Sequence, residues 1–270
     1  MSPQGTLAPV VELEPASALD DDALAALFTA AYEGYVVPFA VDVAALRFLT
    51  ESYDLDRGAS RIAVRAGEPV GLANLGIRGP DAWIGGVGVL PAERRHGTGR
   101  ALMHAVHEQA RARGVERVWL EVIVENTQAV ALYEQLGYRH ERDVEVWSLP
   151  GIDGDASEVG AGDAHAWIRE HRTELEPWQR ADASLAKLDD LRGLRIDGAA
   201  AVVRVAGGRV SVVQVAGDRE PLRRLLAGAS SLGETLSFLN LPVDHPAAAA
   251  LSDLGGRADV RQHEMVLTLR

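Results

Sequence analysis

No cysteine occurs anywhere in this 270-residue chain, which excludes disulfides, thiolate metal sites and a covalent cysteine acyl-enzyme. Any acyl transfer it performs is therefore direct or uses another nucleophile. Nor is there a run of about 18 apolar residues, the length a membrane-spanning helix needs. The N-terminus, Met-Ser-Pro-Gln-Gly-Thr, lacks the positive region and apolar core of a secretory leader, so a soluble cytoplasmic protein with no membrane partner is expected. Positive charge is in deficit, with 27 Lys and Arg against 39 Asp and Glu and a formal net charge of -12. A nucleic-acid surface depends on an excess of cations, so nucleic acid is not an expected partner either. The length suits two compact units, each with its own core.

Against this acidic background one basic stretch stands out: Val87-Gly-Val-Leu-Pro-Ala-Glu-Arg-Arg-His-Gly-Thr-Gly99. It runs from an apolar strand into a glycine-spaced turn. Arg100 to Ala112 follows with Leu102, Met103, Val106 and Ala110 at helical spacing, so the turn sits at a helix N-terminus. A helix start carries partial positive charge and favours acidic side chains, yet Arg94, Arg95 and Arg100 flank this one. An anionic ligand resolves the conflict. Gly97 and Gly99 permit close backbone approach to a pyrophosphate, with amides and arginines as donors. On these letters alone a tight turn capping an ordinary helix remains open. Two other phosphate loops are excluded. No Gly-x-x-x-x-Gly-Lys-Ser/Thr run occurs, and a dinucleotide fingerprint from Gly97 would need glycine where Leu102 stands.

The strand, Arg-x-x-Gly-x-Gly and helix arrangement resembles the acyl-CoA-binding motif of the GNAT superfamily of N-acyltransferases, with Arg94, Gly97 and Gly99 at the motif positions. A second stretch, Leu120-Glu-Val-Ile-Val-Glu-Asn-Thr-Gln-Ala-Val-Ala-Leu-Tyr-Glu-Gln-Leu-Gly-Tyr138, resembles the same family's later strand and helix. The resemblance covers residues 7 to 149. It implies an α/β (α+β) GNAT fold, a mixed central sheet flanked by helices. It also implies acetyl-CoA as cosubstrate, contacted by Val87, Gly88, Val89, Arg94, Arg95, His96, Gly97, Thr98, Gly99, Arg100, Asn126 and Tyr133.

Periodicity along the chain agrees with that order of elements. Strand alternation over Pro9 to Glu14 precedes Asp20, Asp21 and Asp22, which cap and favour a helix to Tyr32. A helix is expected over Val41 to Tyr53, then strands over Arg61 to Val64, Pro69 to Ile77 and Ala82 to Leu90. Helix, strand, helix, strand completes this half. The Gly- and Asp-rich run Pro150 to Asp163 reads as a linker, placing a catalytic domain in 1–152 and a smaller, degenerate GNAT-like α/β domain in 153–270. The second half is expected to hold helices over Ala164 to Thr173 and Ala183 to Leu191, and a hairpin over Ala199 to Val215 turning at Gly207-Gly208. Leu136-Gly137 recurs 118 positions later as Leu254-Gly255, setting Asp244 opposite Asn126 and Leu251 opposite Tyr133. Asp218 and Glu220 begin the helix where the first half has its arginines. One acyl-CoA site, in the first half, is the expectation, although generic strand–helix alternation can produce one such similarity.

Within the resemblance, the acyl arm lies where two strands splay, bonded to the backbone of Val87-Gly88-Val89. A backbone amide there stabilises the oxyanion formed when an amine attacks. Gly85, Gly86 and Gly88 keep the strand uncrowded, or alternatively make a bulge or a tight helix contact. Tyr133 lies two helical turns after Asn126, on the same face, and is the expected general acid for the leaving thiolate. The alternative is a core tyrosine that anchors the cofactor sulfur. Asn126 also suits the N-cap of that helix. Glu121 is the expected base, twelve residues before Tyr133, as in the similar ribosomal-protein N-terminal acetyltransferases, with a solvated strand glutamate as the alternative. The strand before the loop departs from the family in holding only Asp81. Glu33 is the reserve base, and Trp83 with Tyr32, Tyr35 and Phe39 lines an acceptor pocket or packs in the core. His96 serves through its backbone. His104 and His107 lack a third ligand and read as a solvated helix face, so no metal is expected.

The expected activity is acetyl transfer to a primary amine, in a small molecule or a peptide, by a monomer or homodimer. An acyl-CoA-binding regulatory protein without turnover, or a protein N-terminal or lysine acetyltransferase, are the alternatives. The C-terminal half would complete a small-molecule pocket or stand in for a dimer partner.

Overall fold

A computed structural model describes residues 11–37 and 40–269. The chain forms two compact units, and neither is one continuous stretch. The first comprises Met1–Glu121, Glu125–Arg139 and Met265–Arg270, the second Val122–Val124 and His140–Glu264. Ile152 and Asp153, where the sequence suggests a boundary, both lie in the second unit.

In the first unit the elements run β1 (Glu12–Pro15), α1 (Asp21–Ala31), α2 (Val43–Ser52), β2 (Arg61–Arg65), β3 (Glu68–Arg78), β4 (Asp81–Val89), α3 (Thr98–Ala112), β5 (Arg117–Ile123) and α4 (Thr127–Gln135). Residues 1–10 of the expected first strand lie outside the described residues. The acidic run does structural work: Asp20 accepts from the Ala23 amide at 2.8 Å, capping α1, and Asp21 binds Arg47 and Arg57. β1 to β4 pair antiparallel in sequence order, whereas β4 and β5 are parallel because α3 carries the chain back between them. Leu24, Phe28 and Ala31 of α1 pack on Ile62 and Leu72 of the sheet. The last residues of the chain return to this unit, where the Leu269 amide donates to the Glu116 carbonyl at 2.7 Å.

The second unit holds β6 (Arg139–Pro150) from His140 on, β7 (Ser157–Val159), α5 (Ala161–His171), α6 (Asp182–Leu185), β8 (Leu191–Ile196), β9 (Ala199–Ala206), β10 (Arg209–Gly217), α7 (Arg219–Ser230), β11 (Thr235–Pro242), α8 (Pro246–Asp253) and β12 (Arg257–Thr268) as far as Glu264. The strand order runs β6-β11-β10-β9-β8-β7, and only β10 and β11 are parallel in that series. The hairpin β9–β10 turns at Gly207-Gly208, both at positive φ, as the sequence predicts. Two expectations fail. The helix over 183–191 stops at Leu185, and after Asp190, at φ 58°, Leu191 opens strand β8. The run read as a linker is packed: a Cβ on Gly154 would stand 2.5 Å from the Ala227 carbonyl carbon, and on Gly151 2.4 Å from the Gly233 oxygen. Its glycines serve close backbone approach rather than freedom.

The internal repeat is visible in the element bounds. β5 and β11 begin 118 positions apart, as do β6 and β12, and the ends of α4 and α8 repeat bond for bond. Tyr138 N donates to Tyr133 O, and Gly256 N to Leu251 O; Gly137 and Gly255 take the left-handed cap conformation at φ 93° and 82°. The correspondence breaks at the helix starts. β4 and α3 are joined by residues 90–97, β10 and α7 by Asp218 alone, and α8 is capped by His245 rather than Asp244.

Candidate active site

The site begins where β4 and β5 part. Their ladder covers three register pairs, Asp81 with Arg117, Ala82 with Val118 and Trp83 with Trp119, while β3 follows β4 as far as Val89. From Ile84 onward, β4 is thus paired on one side. A bulge accompanies the change: the β3 register shifts between Asn74 and Leu75, opposite Gly85, and Gly86 takes φ 148°. The glycines also admit α1. A Cβ on Gly88 would stand 2.8 Å from the Ala31 methyl, and on Gly86 2.9 Å from the Tyr32 hydroxyl, which bonds the Val87 backbone. Tight helix contact and an uncrowded strand edge are therefore served by the same residues.

Beyond Val89 the loop folds back on α1. Arg94 donates from Nε to the Val89 carbonyl at 3.0 Å and from Nη2 to the carbonyls of Ala31 and Glu33 at 3.2 and 2.6 Å. Arg95 and Gly97 both adopt positive φ, 66° and 82°, curling the loop before α3. That helix has no side-chain N-cap and no acidic residue in its first turn. Its first amides consequently face the cleft without an intrahelical partner. An anion fits this donor set, as backbone N–H groups at a helix start bind phosphate. The Arg100 guanidinium is bonded to Gln135.

Across the cleft, α4 presents Asn126 and Tyr133. Asn126 caps the helix through Oδ1, accepting from Ala129 N at 3.3 Å, and is hydrogen-bonded to the Tyr35 hydroxyl. Tyr133 is only 8% exposed. Burial, and then the neighbouring Tyr35, holds its phenol well above the ordinary pKa, so it is a protonated donor at any working pH. The whole forms a cleft of about 460 Å³.

Of the sequence-predicted residues, Val87, Gly88, Val89, Arg94, Arg95, Gly97, Gly99, Arg100, Asn126, Tyr133, Tyr32 and Tyr35 line this cleft. His96 is exposed and Thr98 is buried behind the lining. Glu33 is exposed and contributes its carbonyl to Arg94. Glu121 and Trp83 are joined to each other, with Trp83 Nε1 donating to Glu121 Oε2 at 2.8 Å, just where the β4–β5 ladder ends. Phe39 lies outside the described residues. Sequence reasoning missed Tyr53, which packs edge-on to Trp83 at 5.7 Å; burial, then the charge of Glu121, pushes its phenol up to about 12. It also missed Leu132 and Gln128, on the lining face of α4. The helical periodicity of α4 carried a signal for both. The reading of His107 is corrected: it is 3% exposed, and its Nε2 is hydrogen-bonded to the Tyr138 hydroxyl at 2.8 Å. His104 alone is exposed.

A larger cleft of about 780 Å³ belongs to the second unit, lined by Trp167, His171, Arg195, Asp197 and Asp218 among others. It lacks the glycine loop, and Asp218 begins its helix.

A mixed sheet whose fourth and fifth strands part, followed by an uncapped helix start, is the arrangement of the GNAT fold. Residues 22–138 match the Acetyltransferase (GNAT) family. Over 74 residues it is 38% identical to the [ribosomal protein bS18]-alanine N-acetyltransferase of Escherichia coli K12, covering 27% of this chain and 49% of that one. Over 70 residues it is 44% identical to the mycothiol acetyltransferase of Beutenbergia cavernae, covering 25% and 24%. The chain thus spans half the length, or less, of these curated relatives. A tandem GNAT protein from the clavulanic acid biosynthesis pathway shares the fold over 96% of this chain and 98% of its own, with a TM-score of 0.64 at 19% identity. Among the described residues no helix is long and apolar enough to cross a membrane.

Proposed function

We propose that the first unit transfers an acetyl group from acetyl-CoA to a primary amine by direct attack, and that the second unit is a degenerate GNAT copy without an acyl-CoA site. One observation carries this reading: the loop amides, the one-sided stretch of β4 and the Tyr133 phenol line the same cleft. The pyrophosphate would lie on the amides at the start of α3, and the acyl arm along Val87–Val89. The amine nitrogen forms a bond to the thioester carbon, and backbone donors of β4 stabilise the oxyanion. The C–S bond then breaks, and Tyr133 gives its proton to the departing thiolate. Burial raises the phenol, which keeps it protonated for that transfer. The amine proton passes to Glu121, directly or through water. Glu121 supports this role by its place at the fork, with one carboxylate oxygen fixed by Trp83.

The relatives differ in acceptor, one acting on a ribosomal-protein alanine and the other on mycothiol by name. The test is calorimetric titration with acetyl-CoA, followed by thiol release across a panel of peptide N-termini and small primary amines. Micromolar binding with release by one amine class is expected. Binding without release from any amine would favour a regulatory acyl-CoA-binding protein, and absence of binding would refute the cofactor site.

A further inference from the structure

In the second unit, Asp143 on β6 accepts hydrogen bonds from two imidazoles on one carboxylate oxygen. His140 Nε2 and His263 Nδ1 each lie 2.7 Å from Asp143 Oδ1. The rings cross edge-on at 89° with centroids 4.9 Å apart, and the three ligand atoms lie within 4.8 Å of one another. With each imidazole proton carried on its other ring nitrogen, His140 Nε2 and His263 Nδ1 would offer lone pairs beside the Asp143 carboxylate. Two imidazoles and a carboxylate are the donor set of an open zinc-type site.

The spacing suits a cation. Bonds of about 2.0–2.1 Å at tetrahedral angles set ligand atoms roughly 3.3 Å apart, so the two contacts of 2.7 Å would each open by about 0.6 Å, with the three ligand atoms already within 4.8 Å of one another. The nearby arginines are already paired, Arg261 with Glu145 at 2.7 Å and Arg142 with Glu264 at 2.6 Å, which limits their repulsion of a metal. The Asp143 carbonyl accepts from Val243 N, anchoring that point of the strand. Side-chain exposures of 51% for His140 and 30% for His263 admit both the ion and water. We propose that His140, Asp143 and His263 bind one divalent transition-metal cation of the zinc, cobalt(II) or nickel(II) kind, with water completing its shell. The ion would tie together two strands 120 residues apart in sequence.

The test uses the untagged full chain, stripped with chelator and titrated with cobalt(II) while visible ligand-field absorption is followed, and with zinc by calorimetry. One equivalent per chain is expected, with zinc displacing cobalt and raising Tm. H140A and H263A should each weaken binding at least tenfold and abolish the Tm increase. His140 is exposed, so H140A tests the site without threatening the fold. No cobalt signal at about 100 µM metal, or a signal unchanged in the H140A/H263A double variant, would overturn the proposal.

Discussion

The Arg94 guanidinium donates to the Glu33 carbonyl at 2.6 Å, so the arginine that opens the glycine loop is engaged in holding the chain just beyond α1. Its other bonds, to Ala31 and Val89, tie α1 to the end of β4. Arg94→Ala should therefore destabilise the protein by about 1–3 kcal/mol, since three carbonyls lose a charged donor. Arg95→Ala should leave stability within about 0.5 kcal/mol and weaken acetyl-CoA binding. Denaturant melts paired with calorimetry separate the two. Equal loss of stability in both variants would refute this division of labour.

Tyr133→Phe removes the hydroxyl from a buried ring while preserving its packing. If the phenol protonates the thiolate, kcat should fall on the order of 10²–10⁴-fold with little change in acetyl-CoA affinity. Because burial raises its pKa, the phenol remains protonated at alkaline pH, and Tyr133 should impose no falling limb below about pH 10. A wild-type rate that declines between pH 8 and 10 through loss of one proton, and does so no longer in Tyr133→Phe, would contradict this.

Much of the first unit was legible because its signals are local. Asp20 announces its helix, and the alternation over Arg61 to Leu90 gives three strands. The loop and the Asn126–Tyr133 face were legible for the same reason. Contacts between distant positions were not. Tyr53 meets Trp83 from 30 residues away, and His263 meets Asp143 from 120. The Gly-rich run after Pro150 misled because glycine marks both a free chain and a close backbone contact, and composition does not distinguish them. His107 misled similarly: a polar residue at helical spacing read as solvated, although Tyr138 satisfies it inside the core.

Glu121 and Trp83 allow the base to be tested without unfolding the site. Glu121→Gln retains an oxygen that can accept from the Trp83 indole, so the hydrogen bond at 2.8 Å can persist while proton acceptance is lost. At neutral pH kcat/KM should drop about 10²-fold or more. The deficit should shrink as pH rises, because a growing fraction of the amine arrives already deprotonated. A constant deficit from pH 7 to 10 would remove Glu121 from the proton path.

The buried His107 makes stability depend on pH. Burial, with help from the Arg111 and His104 charges, lowers its pKa to about 4, below the unfolded value of about 6.5. Between these values the unfolded chain binds a proton that the folded chain refuses, so stability falls as pH drops from about 6.5 toward 4 and levels off below. The full effect is on the order of 3 kcal/mol at most, at 1.36 kcal/mol per pKa unit. His245, whose Nδ1 accepts from Ala247 N and whose pKa burial also lowers to about 4, should add in the same direction. Urea midpoints measured at pH 7.5, 6, 5 and 4.5 should decline, and His107→Gln should flatten the slope, since glutamine does not titrate. An unchanged slope in His107→Gln would show that other groups carry the acid sensitivity.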